Sequence, residues 1–561
     1  MSALTVPFLM PRVEEVVPDF AMLKDRLTGA SVVEERYTAT QVPSSGDSYT
    51  VGGSGTKLMI IRVANQNDYI DTSTAVLSFR AQAQNSSTPA VVCDAALDDH
   101  IFSTIDTINV KVGGQTVEVL NNVGHLMNAL VQGSMPLNYY KQNGGFEGLY
   151  IYDKWSDVAG VRVTATAMAT GRGIYSAATS VAPATVVPAL GFDLTPGSAP
   201  DTTGSQMMDT RWDIGNRWLT NGRYYAVPLT LLGLCRIPTL FAARNFQDVT
   251  IEILFRSNLL GAVWSRDATT VSAWATDSGS SIAINDVTLT YDCCRMSADY
   301  YALMDQELKM PNGSGVAYPI DTYQVQPAFI PSTASGTVAA PVSLTTLAQG
   351  GLTRIVVAKG TRFLKGVYGV TKNQSAESSS LWRNNSSAGN FAFSSYQVII
   401  NSKRYPQLQI QSSAQAFQEL QKAYNQLGSV AGGSLTSWHT YVGQPFARTF
   451  GGVLLTDGPS ILPQDTRVSG TKDGSNLGLY PGDEAMFQLG VNLEQFLTSQ
   501  PDAGGINTST SGYQIAVEVN QQGAAGISAS GQIYGQGLTH YVILHFTRVL
   551  TLKAGAVEVL D

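Results

Sequence analysis

Apolar and polar positions alternate with period two in short runs along most of the chain. "TKLMIIRV", "STAVLSFRAQA", "TINVKV", "QTVEVL", "GVRVTATAM", "DVTIEILF", "DVTLTYDCC", "TRIVVAKG", "SYQVIIN", "YQIAVEV" and "HYVILHFTRVLTL" are such runs, separated by Gly, Ser, Asn and Pro clusters. That pattern predicts half-buried strands joined by turns, as in sandwiches, rather than βαβ units. The fold class expected is mainly β.

One hairpin can be drawn to the residue. Ile108, Val110 and Val112 alternate with Asn109 and Lys111, Gly113 and Gly114 supply the positive φ of a two-residue turn, and Val117 and Val119 follow. Pairing across that turn sets Val110 opposite Val117 and Ile108 opposite Val119, both pairs on one face. Leu120, Val123, Leu126, Met127, Leu130 and Val131 then recur at helical spacing, with Gly133 placed to stop the helix.

The second half repeats this unit. "YQVIINSKRYPQLQI" reads as strand, polar turn and strand, and "SSAQAFQELQKAYNQLG" as a helix. Ser412 with Gln415 forms a capping box, Phe417, Leu420, Tyr424 and Leu427 form the apolar stripe, and Gly428 ends it. Tyr396 matches Thr107 at an offset of 396 − 107 = 289, and "YQVQPAFIPS" from Tyr323 matches "YTATQVPSSG" from Tyr37 at 323 − 37 = 286. Two similar offsets predict a duplicated β domain. The join falls near a third helical stretch, "SADYYALMDQELKM", with Ser297 as its N-cap and Pro311, Asn312 and Gly313 as its stop.

Length agrees with duplication, because 561 residues exceed the roughly 250 to 300 at which one core stops growing. Composition adds a second constraint. Only 14% of residues are charged, against about 25% in an average soluble chain, so the surface is polar but weakly charged and suits extensive subunit contact. The net charge is -8, and residues 1–30 hold no basic arm for neutralising phosphates, which argues against sequence-specific nucleic-acid binding.

Cys93, Cys235, Cys293 and Cys294 have no CxxC spacing and read as buried reduced thiols. The N-terminus lacks a basic region followed by a sustained apolar stretch, so no signal peptide is expected. The most apolar run, Ala226 to Ala243, is broken by Pro228, Arg236 and Pro238. It therefore falls short of the ~20 residues of a transmembrane helix.

Catalytic patterns are missing from the sequence: it has no G-x-S-x-G, no GxxxxGK[ST], no HExxH and no GxGxxG after a strand. His540 and His545 stand five apart in a strand-like run and face opposite sides, which argues against a shared metal. Asp98, Asp99 and His100 are competent ligands side by side, but they precede the hairpin and read as the polar lead-in to a strand, solvating or hydrogen-bonding a loop. No catalytic, cofactor-binding or metal residue is assigned, and no enzyme activity is expected.

The order of segments carries a resemblance. "YYAVPLTLLGLCRIPTLFAARNFQDVTIEILF" is followed by "VTLTYDCCRMSADYYALMDQEL". Tyr225 to Leu229, Pro238 and "TIEILF" look like the aromatic-x-(I/V)-P-L segment, Pro-containing stretch and I-x-I strand of one family; "INSKRYP", "AQAFQELQKAYN" and "AGGINTSTSGYQIAVEV" look like its later pieces. The chain resembles the double jelly-roll major capsid proteins of virophages, polinton-like viruses and adintoviruses over nearly its whole length.

The resemblance implies two tandem jelly-roll β-sandwiches with a few short helices. An N-terminal arm would occupy residues 1–29, a first roll 30–310 with a long exterior loop at 175–218, and a second roll 311–561. It implies a homotrimer whose pseudo-hexagonal capsomers tile an icosahedral double-stranded DNA virus shell, with neighbouring capsomers, a penton or vertex protein and minor or cement capsid proteins as partners. The location would be the virion capsid, assembled in the host cytoplasm or nucleus. Val6, Phe8, Leu9, Met10 and Phe20, set among three prolines, are the candidate inter-subunit contacts; otherwise the arm docks on its own domain. The alternative is a β-sandwich carbohydrate- or receptor-binding viral spike or lectin, with Trp155, Trp212, Trp218, Trp264, Trp382 and Trp438 as sugar platforms or as core and interface aromatics.

Overall fold

The computed structural model describes residues 33–63, 68–85, 95–97, 100–136, 139, 143, 147–148, 219, 222–237, 239–246, 248–259, 263–265, 280–309, 316–330, 352–357, 359–373, 393–424, 441, 447–450, 453–456, 487–494, 505–509, 513–521, 538–553 and 556–560. The first half contains β1 (Val33–Gln41), β2 (Ser48–Val51), β3 (Leu58–Val63), β4 (Tyr69–Asn85), β5 (Ala95–Leu97), β6 (Ile105–Val112), β7 (Gln115–Asn121), helix α1 (Val123–Ser134), β8 (Arg223–Pro228), β9 (Val249–Phe255), β10 (Val263–Ser265) and β11 (Ser280–Met296). Helix α2 (Ala298–Lys309) leads to the second half. There follow β12 (Val316–Ile330), β13 (Leu352–Val357), β14 (Leu364–Asn373), β15 (Phe393–Ile400), β16 (Lys403–Ile410), helix α3 (Ser413–Ala423), β17 (Ala447–Phe450), β18 (Val453–Thr456), β19 (Leu489–Asn492), β20 (Ile515–Gln521), β21 (Leu538–Lys553) and β22 (Ala556–Leu560).

Strand order defines the fold. In the first half one sheet runs β1-β11-β4-β8 and the other β3-β9-β6-β7; in the second they run β12-β21-β14-β19 and β13-β20-β15-β16. Among the eight strands on these two paths in each half, the first pairs with the last (β1 with β11, β12 with β21) and the second with the next to last (β3 with β9, β13 with β20), so the chain rolls up on itself as two facing sheets, with β2 added beside β11 and β22 beside β21. That is the jelly roll, and the chain holds two with the same order. Smaller correspondences repeat as well. The start of β4 bridges to the segment before β9 through Ile70 and Phe241, and the start of β14 bridges to the segment before β20 through Leu364 and Ile506.

Each sandwich is filled from both sheets, since period-two alternation turns one set of side chains inward. Met59, Ile61, Val110, Ile251 and Ile253 from one sheet and Leu77, Phe79, Ala81, Ile284 and Leu289 from the other are buried in the first roll. Val398, Ile400, Val517 and Val519 with Val542, Leu544 and Phe546 do the same in the second. Each such aliphatic side chain contributes roughly 1.5–3 kcal/mol on burial. Helices α1 and α3 follow matching strands, β7 and β16. Ser412 caps α3 by accepting from the Gln415 N–H at 3.2 Å, and Gln415 Oε1 accepts from the Gln411 N–H at 2.9 Å, one residue earlier than a capping box requires.

Two local expectations fail for physical reasons. The β6–β7 hairpin turns at Gly113 and Gly114, with φ of +56° and +79°, but Val110 faces Glu118 and Ile108 faces Leu120. A bulge between the Lys111 and Val110 pairs absorbs Val117 as an extra residue, and one extra residue turns every later side chain to the other face. Val119 is consequently 42% exposed and Glu118 is fully buried. Gly133, expected to stop the first helix, lies inside α1. Its reason is proximity: a Cβ there would collide with the Tyr424 ring.

His100 also departs from a solvated lead-in. It is fully buried beside Phe102, and its carbonyl accepts from the Ser103 N–H at 2.9 Å. Asp98 and Asp99 lie outside the described residues, as do Cys93, Leu427 and Gly428. Cys235, Cys293 and Cys294 are free and buried.

Candidate functional site

The most constructed feature of the molecule is the seam between the rolls. From the first roll it uses β7, α1 and the connection between β8 and β9, whose 3-10 turn spans Gly233–Arg236. From the second it uses β12, β21 and the end of α3.

At its centre the Glu118 carboxylate, fully buried, accepts from the Gly233 N–H at 3.0 and 2.9 Å and from the Thr322 hydroxyl at 2.7 Å. Burial pushes its pKa up, opposed by those hydrogen bonds and by the Arg236 cation. Gly233 is required here by contact, because a Cβ would strike the Asp321 carbonyl oxygen and the Ile320 side chain. Arg236 reaches the Tyr323 hydroxyl at 3.0 Å and the Asp321 carbonyl at 2.5 Å, with its guanidinium 5.0 Å from the Tyr323 ring centroid. His545 stacks on Tyr323 at 4.7 Å. Asp321 Oδ1 accepts from Lys365 Nζ at 2.7 Å and from the Thr547 hydroxyl at 2.5 Å. Burial opposes ionisation of Asp321, but His545, Lys365 and Thr547 outweigh it and hold its pKa below the ordinary value.

Further along, the Asn121 amide donates to the Val325 carbonyl at 2.9 Å and accepts from the Val325 N–H at 3.2 Å. One side chain thus occupies the outer edge of β12, where an unpaired strand would otherwise expose donor and acceptor. Arg548 donates to the Val117 carbonyl at 2.7 Å, which the bulge left free of the ladder. His125 of α1 stacks on Tyr541 at 4.2 Å, and the Tyr424 hydroxyl lies 3.2 Å from the Ala129 carbonyl and 3.1 Å from Gln488 Oε1. An aromatic trio, Phe241, Phe246 and Tyr318, closes the far end, with the Tyr318 hydroxyl accepting from the Ala242 N–H and donating to the Leu240 carbonyl. The Glu118 carboxylate, the Asn121 amide and the Arg236 guanidinium are hydrogen-bonded across the seam, so separating the rolls would strand them at about 1–3 kcal/mol each.

The seam is a joint. Among the described residues no group of three or more His, Cys, Asp or Glu could hold a metal ion, and no helix is long and apolar enough to cross a membrane. His540 and His545 lie on opposite faces of β21: His540 bonds Thr371 at 2.8 Å beside Tyr396, and His545 lies on Tyr323. Burial lowers the His540 pKa to about 4 and, with Lys365 and Arg236, that of His545 to about 3.

Val6, Phe8, Leu9, Met10 and Phe20 lie outside the described residues, as does the 175–218 segment. Of the six tryptophans considered as sugar platforms, Trp264 falls in β10 and the others lie outside the described residues. Sequence reasoning passed over Glu118, Gly233, Arg236 and Thr322. A usable signal existed in two of them: a Glu amid the buried positions of "QTVEVL" and a lone Gly inside the apolar "LTLLGLCRI".

No family model and no curated protein sequence matches the chain. Solved structures do. The PBCV-1 virus capsid is similar at 8% identity, covering 95% of this chain and 98% of that one, with a TM-score of 0.49. The Faustovirus major capsid protein is similar at 8% identity over 95% and 94%, TM-score 0.47. The mavirus major capsid protein is similar at 8% identity over 95% and 91%, TM-score 0.42. The double jelly-roll assignment made above stands on the strand order of this chain.

Proposed function

We propose that this chain is a major capsid protein whose homotrimers form pseudo-hexagonal capsomers of an icosahedral virus shell. One observation carries the reading: two rolls of identical strand order are fixed side by side in one chain by a buried, hydrogen-bonded seam. A chain of that kind supplies two near-equivalent wall elements, so three copies supply six and one gene product can fill a hexagonal lattice position. Low charge supports the same reading, because fewer groups must be desolvated when faces meet.

Within it, residues 1–29 form an arm toward a neighbouring subunit, vertex or minor capsid protein, with Val6, Phe8, Leu9, Met10 and Phe20 as its apolar contacts. The rolls divide at residues 310 and 311, the 175–218 segment builds part of the exterior, and the location is the virion.

The test is the mass and outline of the purified protein. Light scattering should give a trimer of 3 × 59.8 kDa, about 179 kDa, and negative-stain images a hexagonal outline. A 59.8 kDa monomer that binds glycans would sink the proposal in favour of a lectin or spike.

A further inference from the structure

The seam has a direction. It joins β7 and α1 of the first roll to β12 and β21 of the second, and the same elements recur with the opposite pairing unfilled among the described residues: β16 and α3 in the second roll, β1 and β11 in the first.

The two donor sides superimpose by their bonds. Leu126 N–H bonds the Asn122 carbonyl at the start of α1, and Ala416 N–H bonds the Ser412 carbonyl at the start of α3. Two residues earlier in each case, Leu120 pairs with Ile108 and Ile410 with Tyr396. Two further back stand Glu118, fully buried in the seam, and Leu408, 82% exposed. Leu408 sits in a bulge where Gln397 alone opposes Pro406 to Gln409, and that bulge is pinned. Gln397, 1% exposed, donates through Nε2 to the Pro406 carbonyl at 2.9 Å. A leucine held out on a fixed bulge is presented rather than loosely hanging.

The two receiving sides differ in the same sense. The outer edge of β12 is covered by Asn121, whereas β1 ends its sheet with no strand on its outer edge among the described residues. Charge is complementary at one point: exposed Lys403 and Arg404 stand on β16 and exposed Glu34 on β1, where Glu35 already pairs with Arg295 at 2.9 Å and Arg36 with Asp71 and Asp292.

We propose that β16 and the start of α3 of one copy dock on the β1–β11 edge of a second copy, repeating between chains the seam seen within the chain. This rests on the trimer reading above. Leu408 takes the central place that Glu118 holds in the internal seam, and Lys403 and Arg404 face Glu34. The contact is heterologous, so repeated steps close into a ring, with three seams inside chains alternating with three between them.

A photo-crosslinking amino acid, p-benzoylphenylalanine, placed at position 408 of the full chain tests the assignment, with mass measured in parallel for Leu408→Glu. The expected result is a cross-linked product whose joined peptides map to residues 33–41 or 280–296 of a second copy. Leu408→Glu should lower the mass from trimer to monomer while leaving the far-UV spectrum of the chain unchanged. Trimers that cross-link elsewhere, or not at all, would overturn the proposed surface and leave the trimer standing. A wild-type chain that stays monomeric would overturn the trimer reading itself and the surface with it.

Discussion

β7 and β16 occupy the same place in their rolls and meet opposite fates. β7 carries a carboxylate, Glu118, fully buried under Gly233 and Thr322 of the adjoining elements, while β16 carries Leu408 at 82% exposure in the corresponding position. Bulge size accounts for part of the difference: one extra residue in β7 turns Glu118 inward, and a longer insertion in β16 lifts Leu408 out. The two rolls share one strand order, and small register changes give β7 an internal joint and leave Leu408 of β16 exposed.

The largest expected effect comes from Gly233→Val. Its side chain would meet the Asp321 backbone, which cannot move without breaking the β12–β21 ladder. A loss of about 3 kcal/mol or more is expected, with urea unfolding splitting from one transition into two as the rolls uncouple. A single unshifted transition would show that the seam does not tie the rolls together.

Glu118→Leu follows. It leaves the Gly233 N–H without its carboxylate and should cost about 2 kcal/mol at neutral pH, read as a lower urea midpoint. Its pH dependence sharpens the result. The depressed pKa values of His540 and His545, at about 4 and about 3, mean that the unfolded chain binds protons first. Their contribution is complete above about pH 6.5 and is lost as pH falls toward those values. Glu118 acts in the opposite sense, since its raised pKa makes the folded chain bind a proton more readily as pH falls. The wild type should therefore lose stability below pH 6.5, and Glu118→Leu should lose it more steeply. Parallel pH profiles would remove Glu118 from the account.

The smallest effect on the isolated chain is expected for Leu408→Ser. An exposed side chain away from caps and buried networks changes stability by no more than about 0.5 kcal/mol. A urea midpoint lowered at dilutions where wild type and variant are both monomeric would mean that Leu408 supports its own roll, and the contrast with Glu118 would collapse.

Much of the fold was legible because alternation and turn residues report locally on which face is buried. Ile108, Val110 and Val112 announced a strand, Gly113 and Gly114 its turn, and Ser412 with Gln415 the start of α3. The offsets of 289 and 286 residues linked β6 with β15 and β1 with β12, which hold matching positions in the two rolls. The β7 register was not legible, because nothing in "QTVEVL" distinguishes a bulge at Val117 from regular pairing. Gly133 misled for a related reason: a glycine wanted for its missing Cβ looks the same as one wanted for positive φ.

By itself the sequence determined the strands, the duplication and the low charge, since these follow from side-chain periodicity and composition, properties of neighbours along the chain. Only the tertiary structure decided that Glu118, Gly233, Arg236, Thr322 and Tyr323 meet. Those residues lie up to about two hundred positions apart, and their encounter depends on how two separately patterned sandwiches pack, which no local period encodes.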